Sequence, residues 1–320
     1  MAGELMPEFL VYSLRTASAR SAFESTASGA SNSMQNISQE VVRNLWLPMP
    51  PIDEQRAIVA RLVNETAHLD TLLAAKQRLL DLLAEKRKVI IATAVTRGLD
   101  PKVMLRDSGV PWLGALPTHW RINRLRHLSD RISGRLVFKP AQYFVNTGVP
   151  FLMGNNISED GLVWDNVKYI SEGTNASFAH HALRTDDVVT VRVGAPGVTC
   201  VVPPEADGLN CGSMMIIRRS PRFVSTWLAL LMNSHVVRTQ VALVQYGAAQ
   251  EQINIGDALD FVLPVPPLDE QRSIVEHIAR ETARIDAVRA ATEWTIALLK
   301  ERRSALIAAA VTGQLDVSAT

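Results

Sequence analysis

The sequence predicts a mixed α/β (α+β) domain joined to two long helices, a fold class that rests on three observations. One long stretch of the chain occurs twice. Both copies run without a helix breaker and with apolar residues on one face. Between them, short apolar runs alternate with turn signals, as in a sheet-containing domain. At 320 residues, there is room for about two domains.

The repeat sets the organisation. Residues 47–100 begin LPMPPIDEQRAIV and recur without a gap as residues 263–316, beginning LPVPPLDEQRSIV, with half of the positions identical. Upstream the match is weaker. Residues 29–37 (GASNSMQNI) face residues 247–253 (GAAQEQI) with a two-residue length difference, and Phe9 and Val11 are matched with Phe223 and Val224. The expected divisions are therefore residues 1–46 as the tail of a first globular domain, 47–100 as a first connector, 101–262 as a complete domain and 263–320 as a second connector.

Each connector reads as one helix. The paired prolines before Asp53 and Asp269 favour an extended approach, which makes the two aspartates the expected N-caps. Glu54 and Glu270 suit the positive end of the dipole, and Gly98 and Gly313 are the expected left-handed stops. Leu62, Leu69, Leu73, Leu80, Leu83, Ile90 and Ala94 fall on alternating steps of three and four. Ile278, Ile285, Ile296, Leu299, Leu306 and Ala310 keep the same frame. This is a coiled-coil seam. It is interrupted at Thr66 with Thr282, at Lys76 with Thr292 and at Arg87 with Arg303, polar positions that fix register and partner. The alternative is that each helix packs on its own globular domain.

Residues 101–262 read as strands and tight turns, in VPFLMGNNISEDG, DDVVTVRVGAPG, VTCVVPPEADG and SMMIIRRSP. Helix is expected at residues 224–244 and around 256–259. Catalytic groupings are missing. There is no phosphate-cradling GxxxxGK[ST] loop and no GxSxG elbow. GAPG at residues 194–197 suits a β-turn, because Pro196 lacks an amide. His180 and His181, if on one strand, point to opposite faces, and Asp186 and Asp187 read as a solvated turn. Cys200 and Cys211 read as buried, reduced thiols. Neither an enzyme nor a cofactor or metal site is expected.

Thirty-three Lys plus Arg against thirty-two Asp plus Glu exclude a polycation and leave room for a local basic face. Arg121, Arg124, Arg126, Arg131, Arg135 and Lys139 make one basic group, and Arg192, Arg218, Arg219 and Arg222 a second. Amides gather at turns. Arginine pairs with guanine and amides with adenine, so the expected reading face is Lys139, Asn155, Asn156, Arg192, Gln245, Gln250 and Gln252. For each residue alone, a solvated surface side chain is the competing reading. No run of eighteen apolar residues exists and the N-terminus does not resemble a signal peptide, so the expected location is the cytoplasm.

These motifs resemble the specificity (S) subunit of a type I restriction–modification system. The resemblance rests on PPIDEQRAIV and PPLDEQRSIV at the helix starts and on LLAEKRKVIIATAVTRGLD and LLKERRSALIAAAVTGQLD at their ends. GVPWLGALPTHWRINRLRHL, DDVVTVRVGAPG and GAAQEQINI support it. It implies target-recognition domains that each read half of a split site in double-stranded DNA. It also implies an antiparallel coiled coil as spacer, docking of methyltransferase (modification) subunits, and restriction subunits joining the complex. Two departures stand out: the first recognition domain is reduced to its tail, residues 1–46, and Asp186 stands where glycine is usual. Self-pairing of half-subunits on a palindromic split site is one reading of the first departure. The other is a truncated interaction protein or silent cassette that pairs only through its coiled coil.

Overall fold

The computed structural model describes residues 4–26, 37–134, 140–246 and 251–315. It divides into two compact units, residues 1–85 with 285–320, and residues 86–284. The helices in chain order are α1 (Pro7–Leu14), α2 (Ala17–Thr26), α3 (Gln39–Arg43), α4 (Ile52–Arg97), α5 (Glu172–Ser177), α6 (Ser225–Asn233), α7 (His235–Val244), α8 (Ile255–Leu259) and α9 (Leu268–Val311). The long helices α4 and α9 run through both units.

In the first unit, Phe9 of α1 packs with Ile58, Val59 and Leu62 near the start of α4 and with Ile307, Ala310 and Val311 near the end of α9. Advancing along α4 to Asp70 means retreating along α9 to Arg303, whose Nε and Nη2 donate to the Asp70 carboxylate at 2.8 and 3.2 Å. The two helices are therefore antiparallel in this unit. Each fully buried Leu or Ile here contributes on the order of 1.5–3 kcal/mol. The buried seam threonines satisfy their own hydroxyls: Thr66 Oγ1 donates to Leu62 O at 2.6 Å, and Thr292 Oγ1 to Val288 O at 2.8 Å.

The second unit holds the sheets. A hairpin joins β1 (Leu105–Asp107) to β2 (Ala115–Pro117), and β3 (Arg121–Arg124) pairs antiparallel with β14 (Val262–Val265). One four-stranded sheet has the order β11 (Thr199–Val201), β10 (Val188–Val191), β13 (Met214–Ile217), β4 (Ile132–Ser133). A second has the order β12 (Asn210–Cys211), β6 (Val149–Leu152), β9 (Lys168–Ile170), β5 (Phe144–Val145). Strands β7 (Ile157–Ser158) and β8 (Gly161–Leu162) form a small hairpin.

Every residue of β10 and β13 is buried, because apolar side chains leave both faces of the sheet. Val188, Met215 and Ile217 enter a core with Trp120, Trp227 and Phe261, while Val189, Val191, Met214 and Ile216 enter another with Leu152 and Cys200. The alternation follows from the two-residue period of a strand. Ala94 and Val95 of α4 and Ile274 and Ile278 of α9 join the first of these cores. In the gapless alignment of the two copies, these four are the counterparts of Ala310, Val311, Ile58 and Leu62 in the first unit. Both sequence-based readings of the long helices therefore hold: they pair with each other, and their ends also pack into globular cores.

Several local expectations need correction. The long helices begin at Ile52 and Leu268, so Asp53 and Asp269 lie inside the first turn. There they bind Arg56 and Arg272 three residues on. Gly98 and Gly313 do adopt left-handed backbone, at φ 75° and 71°. The helix expected at 224–244 is broken at Ser234, whose extended backbone separates α6 from α7 and whose Oγ donates to Leu231 O at 2.6 Å. His180 and His181 lie in a 3-10 turn instead of a strand.

The upstream repeat also has a different register. Helices α1 and α2 start at Pro7 and Ala17, and α6 and α7 start at Ser225 and His235 with the same spacing. On that register buried Phe9 corresponds to buried Trp227, not Phe223. Thr16 corresponds to Ser234, and its Oγ1 donates to Ser13 O at 2.7 Å just as Ser234 donates to Leu231.

Candidate nucleic-acid interface

Strands β10 and β11 are joined by the GAPG turn. Gly197 N donates to Val191 O at 2.9 Å, and Val198 N to Ala195 O at 3.3 Å, around Pro196, which has no amide to offer. Gly197 has φ 89°, and a Cβ there would lie 2.9 Å from Val241 Cγ2 on α7, so a glycine is needed for the turn to close against that helix. Facing it is a 3-10 turn, Gly154–Asn156. Met153, Gly154 and Asn155, with Val193, Gly194, Ala195 and Ser213, line a cleft of about 360 Å³.

The two neighbouring asparagines have different roles. Asn155 is exposed at the cleft. Asn156 is buried; its Oδ1 accepts from Met153 N at 3.0 Å, and its Nδ2 donates to Val163 O and Asp165 O at 2.9 and 3.1 Å. Asn156 is thus a loop bracket and not a surface reader. Arg192 is also nearly buried, with Nε donating to Ile253 O at 3.3 Å. Burial lowers its pKa below the ordinary arginine value, against an opposing pull from Tyr246. It ties residues 251–253 to the hairpin, so it does not present an open guanidinium fork.

Gln252 is half-buried and bridges Val193 and Tyr246 through its backbone. Gln245 is half-buried, with Nε2 3.5 Å from Glu251 Oε1. Asn155, Arg192, Gln245 and Gln252, scattered in sequence, are thus gathered around one hairpin. Lys139 and Gln250 lie outside the described residues. The exposed Tyr246, whose hydroxyl donates to Asn254 Oδ1 at 2.9 Å, was missed by sequence reasoning. An aromatic beside an amide-rich run was the available signal.

The basic groups are more neutralised than their number suggests. Arg124 and Arg126 both bind Asp260, at 2.7 and 2.5 Å, and Arg222 binds Asp130 at 2.5 Å. Arg218 is buried in an ion pair with Asp187. Asp187 also accepts from Arg184 N at 2.9 Å and Arg219 N at 3.2 Å, so it is not part of a solvated turn. Asp186 beside it is exposed, with left-handed backbone at φ 68°, which accounts for glycine suiting that position. Arg121, Arg131 and Arg219 are exposed, and Arg135 lies outside the described residues.

Cys200 and Cys211 are free and buried, and burial pushes both thiols up to about 12. Among the described residues, no group of three or more His, Cys, Asp or Glu side chains is arranged to hold a metal ion. No helix among them is long and apolar enough to cross a membrane. On the long helices, Leu62, Leu69, Ile278 and Ile285 are buried. Leu73, Leu80, Leu83, Ile90, Ile296, Leu299 and Leu306 are half-buried. The cleft offers short amide and hydroxyl groups of the kind that pair with base edges.

No family model matches the chain. Among curated proteins, it is 22% identical over 302 residues to the EcoBI type I restriction enzyme specificity subunit of Escherichia coli, aligning 90% of this chain with 62% of that one. Its homologues are type I restriction enzyme specificity subunits. The MjaVIII specificity subunit of Methanocaldococcus jannaschii is 21% identical, aligning 76% of this chain with 56% of its own length. The chain thus spans roughly three fifths of these specificity subunits.

Solved structures agree in fold. A chain from work on complex assembly and conformational transition of the type I restriction–modification system superposes with a TM-score of 0.73 at 21% identity, covering 97% of this chain and 72% of that one. The HsdS subunit from Thermoanaerobacter tengcongensis gives 0.56 at 21% identity, covering 97% and 71%. The resemblance drawn from the two PPxDEQR motifs is borne out.

Proposed function

We propose that the chain is a DNA-reading specificity component that directs methyltransferase and restriction subunits to a target site and performs no chemistry itself. The observation that supports this most is its homology to specificity subunits along most of its length. In this reading residues 101–262 are the reader, 47–100 and 263–320 the connectors, and 1–46 a partial second copy of the reader. Asn155, Gln245 and Gln252 around the GAPG hairpin contribute to the base-facing surface, with Tyr246 beside them. Reading DNA implies a cytoplasmic protein.

A docking role for the connectors is supported by the first unit. Leu72 and Leu82 on α4 and their counterparts in the second copy, Val288 and Leu298 on α9, are all exposed. Solvent-facing apolar residues at duplicated positions are what two equivalent partner subunits would cover.

The test is selection from a random-site DNA library by the purified chain with its methyltransferase partner at low salt, where electrostatic binding is strongest. One enriched sequence is expected. Retention of DNA without sequence preference would overturn the reading.

A further inference from the structure

One side chain spans the two turns that wall the cleft. Arg238, half-buried on α7, donates from Nη1 to Pro196 O of the GAPG turn at 3.3 Å and from Nη2 to Glu159 Oε1 at 2.7 Å. Glu159 and Asp160 form the loop between β7 and β8, and β7 follows directly on the Gly154–Asn156 turn that carries Asn155. The helix that bears Arg238 ends at Val244, next to Gln245 and Tyr246. A Cβ on Gly197 would lie 3.5 Å from Arg238 Nη1, so the guanidinium sits close against the GAPG turn.

The same loop has a second anchor. Asp160 Oδ1 accepts from Nη2 of Arg87 on α4 at 2.7 Å. Arg303, the counterpart of Arg87 in the second copy, holds Asp70 of α4 instead. One duplicated arginine thus ties helix to helix, and the other ties helix to loop. The hairpin closes by itself, with Ser158 Oγ donating to Gly161 O at 2.8 Å and neither carboxylate taking part. Glu159 and Asp160 are 52% and 75% exposed, and pairs this open to water add little to stability. What the two arginines fix is where the hairpin sits.

We infer that Arg238 is a positioning residue for base reading: bonded at once to Glu159 and to Pro196 O, it sets the spacing between the turn that carries Asn155 and the GAPG turn. Arg87 holds the far side of the same loop. This rests on the DNA-reading role proposed above, and it gives neither arginine a base or a phosphate of its own. The fork geometry matters, because a lysine keeps the charge but not the planar guanidinium that serves two acceptors.

The experiment selects from the random-site library with the full chain and its methyltransferase partner, and follows amide hydrogen exchange of the full chain without DNA. Arg238→Ala, Arg238→Lys and Glu159→Ala should each lower discrimination about tenfold at the base that Asn155→Ala relaxes, with the melting temperature in place. Combining Arg238→Ala with Glu159→Ala should add nothing to either alone, since both break one contact. Exchange at the Gly197 and Val198 amides should quicken about tenfold in Arg238→Ala, while Arg87→Ala should quicken it across β7 and β8 only. Binding weakened equally on all sequences by Arg238→Ala and restored by Arg238→Lys would make Arg238 a phosphate contact and overturn the inference. Unchanged exchange at Gly197 and Val198 would overturn it as well. A parent chain without sequence preference sinks the DNA reading, and the exchange arm then decides by itself for or against a spacer role of Arg238.

Discussion

Gln55 and Gln271 make the same pair of backbone hydrogen bonds, one in each copy of the repeat. Gln55 Nε2 donates to Pro50 O at 2.9 Å and its Oε1 accepts from Met6 N at 2.8 Å. Gln271 Nε2 donates to Pro266 O at 3.0 Å and its Oε1 accepts from Val224 N at 2.8 Å. Both side chains are wholly buried. The glutamine of PPxDEQR is thus a latch that ties the start of a long helix to the proline approach and to the segment leading into α1 or α6. The glutamate before it holds Trp120 in the second copy, and the arginine after it pairs with the first-turn aspartate. In the second copy the aspartate, glutamate, glutamine and arginine of the motif are each committed to a contact.

Gln271→Ala leaves the Val224 amide and the Pro266 carbonyl without their partner. Each unpaired buried group costs about 1–3 kcal/mol, so a loss of about 2 kcal/mol or more is expected in urea denaturation. Gln271→Glu keeps the acceptor but sets a carboxylate against the Pro266 carbonyl, and should destabilise as well. Two variants within about 0.5 kcal/mol of the parent would show that the latch is idle.

Asp187→Ala strands the buried Arg218 guanidinium. Removing one partner of a buried pair costs about 3–5 kcal/mol, whereas replacing both by apolar residues is often near neutral. The double variant Asp187→Ala with Arg218→Met should therefore recover much of the stability lost by the single one, measured by the same denaturation. A double variant no more stable than Asp187→Ala would rule this account out.

Asn155 and Asn156 should separate binding from folding. Asn156→Ala unpairs the Met153 amide and two carbonyls and should cost about 1–3 kcal/mol of stability. Asn155→Ala should leave the melting temperature in place and relax preference at one base, at about 1–3 kcal/mol of discrimination. If Asn155→Ala leaves every base preference unchanged, the cleft is not part of the reading surface.

The buried thiols make an alkaline prediction. Burial raises Cys200 and Cys211 from 9.0 to about 12; at Cys211, Arg218 opposes the rise and Asp187 adds to it. Between those values the unfolded chain gives up protons that the folded chain keeps. The stability they contribute is therefore complete below pH 9 and is lost as pH climbs towards 12. The urea midpoint should fall across that window, and less so in a Cys200→Ala, Cys211→Ala double variant. A disulfide reagent at about pH 8 should find no reactive thiol until the chain unfolds.

The repeat, the two long helices and their stops were legible in the sequence because each depends on spacing along one chain segment. Apolar residues at steps of three and four define a helix face wherever the chain goes. The strands of the second unit were legible for a similar reason, as short apolar runs ended by turn residues. Residue type alone could not tell an exposed arginine from a buried one. Arg192, Arg218 and Arg219 read alike in sequence, yet Arg192 braces Ile253, Arg218 neutralises Asp187 and Arg219 is exposed.

The sequence by itself determined the duplication, the helical connectors and the kinship with specificity subunits, since these depend on local pattern and motif. Only the tertiary structure decided which of two adjacent asparagines faces solvent and why the motif glutamine is there. Those outcomes depend on contacts between residues far apart in the chain. Whether a polar group is exposed or committed is decided by the partner that folding brings to it.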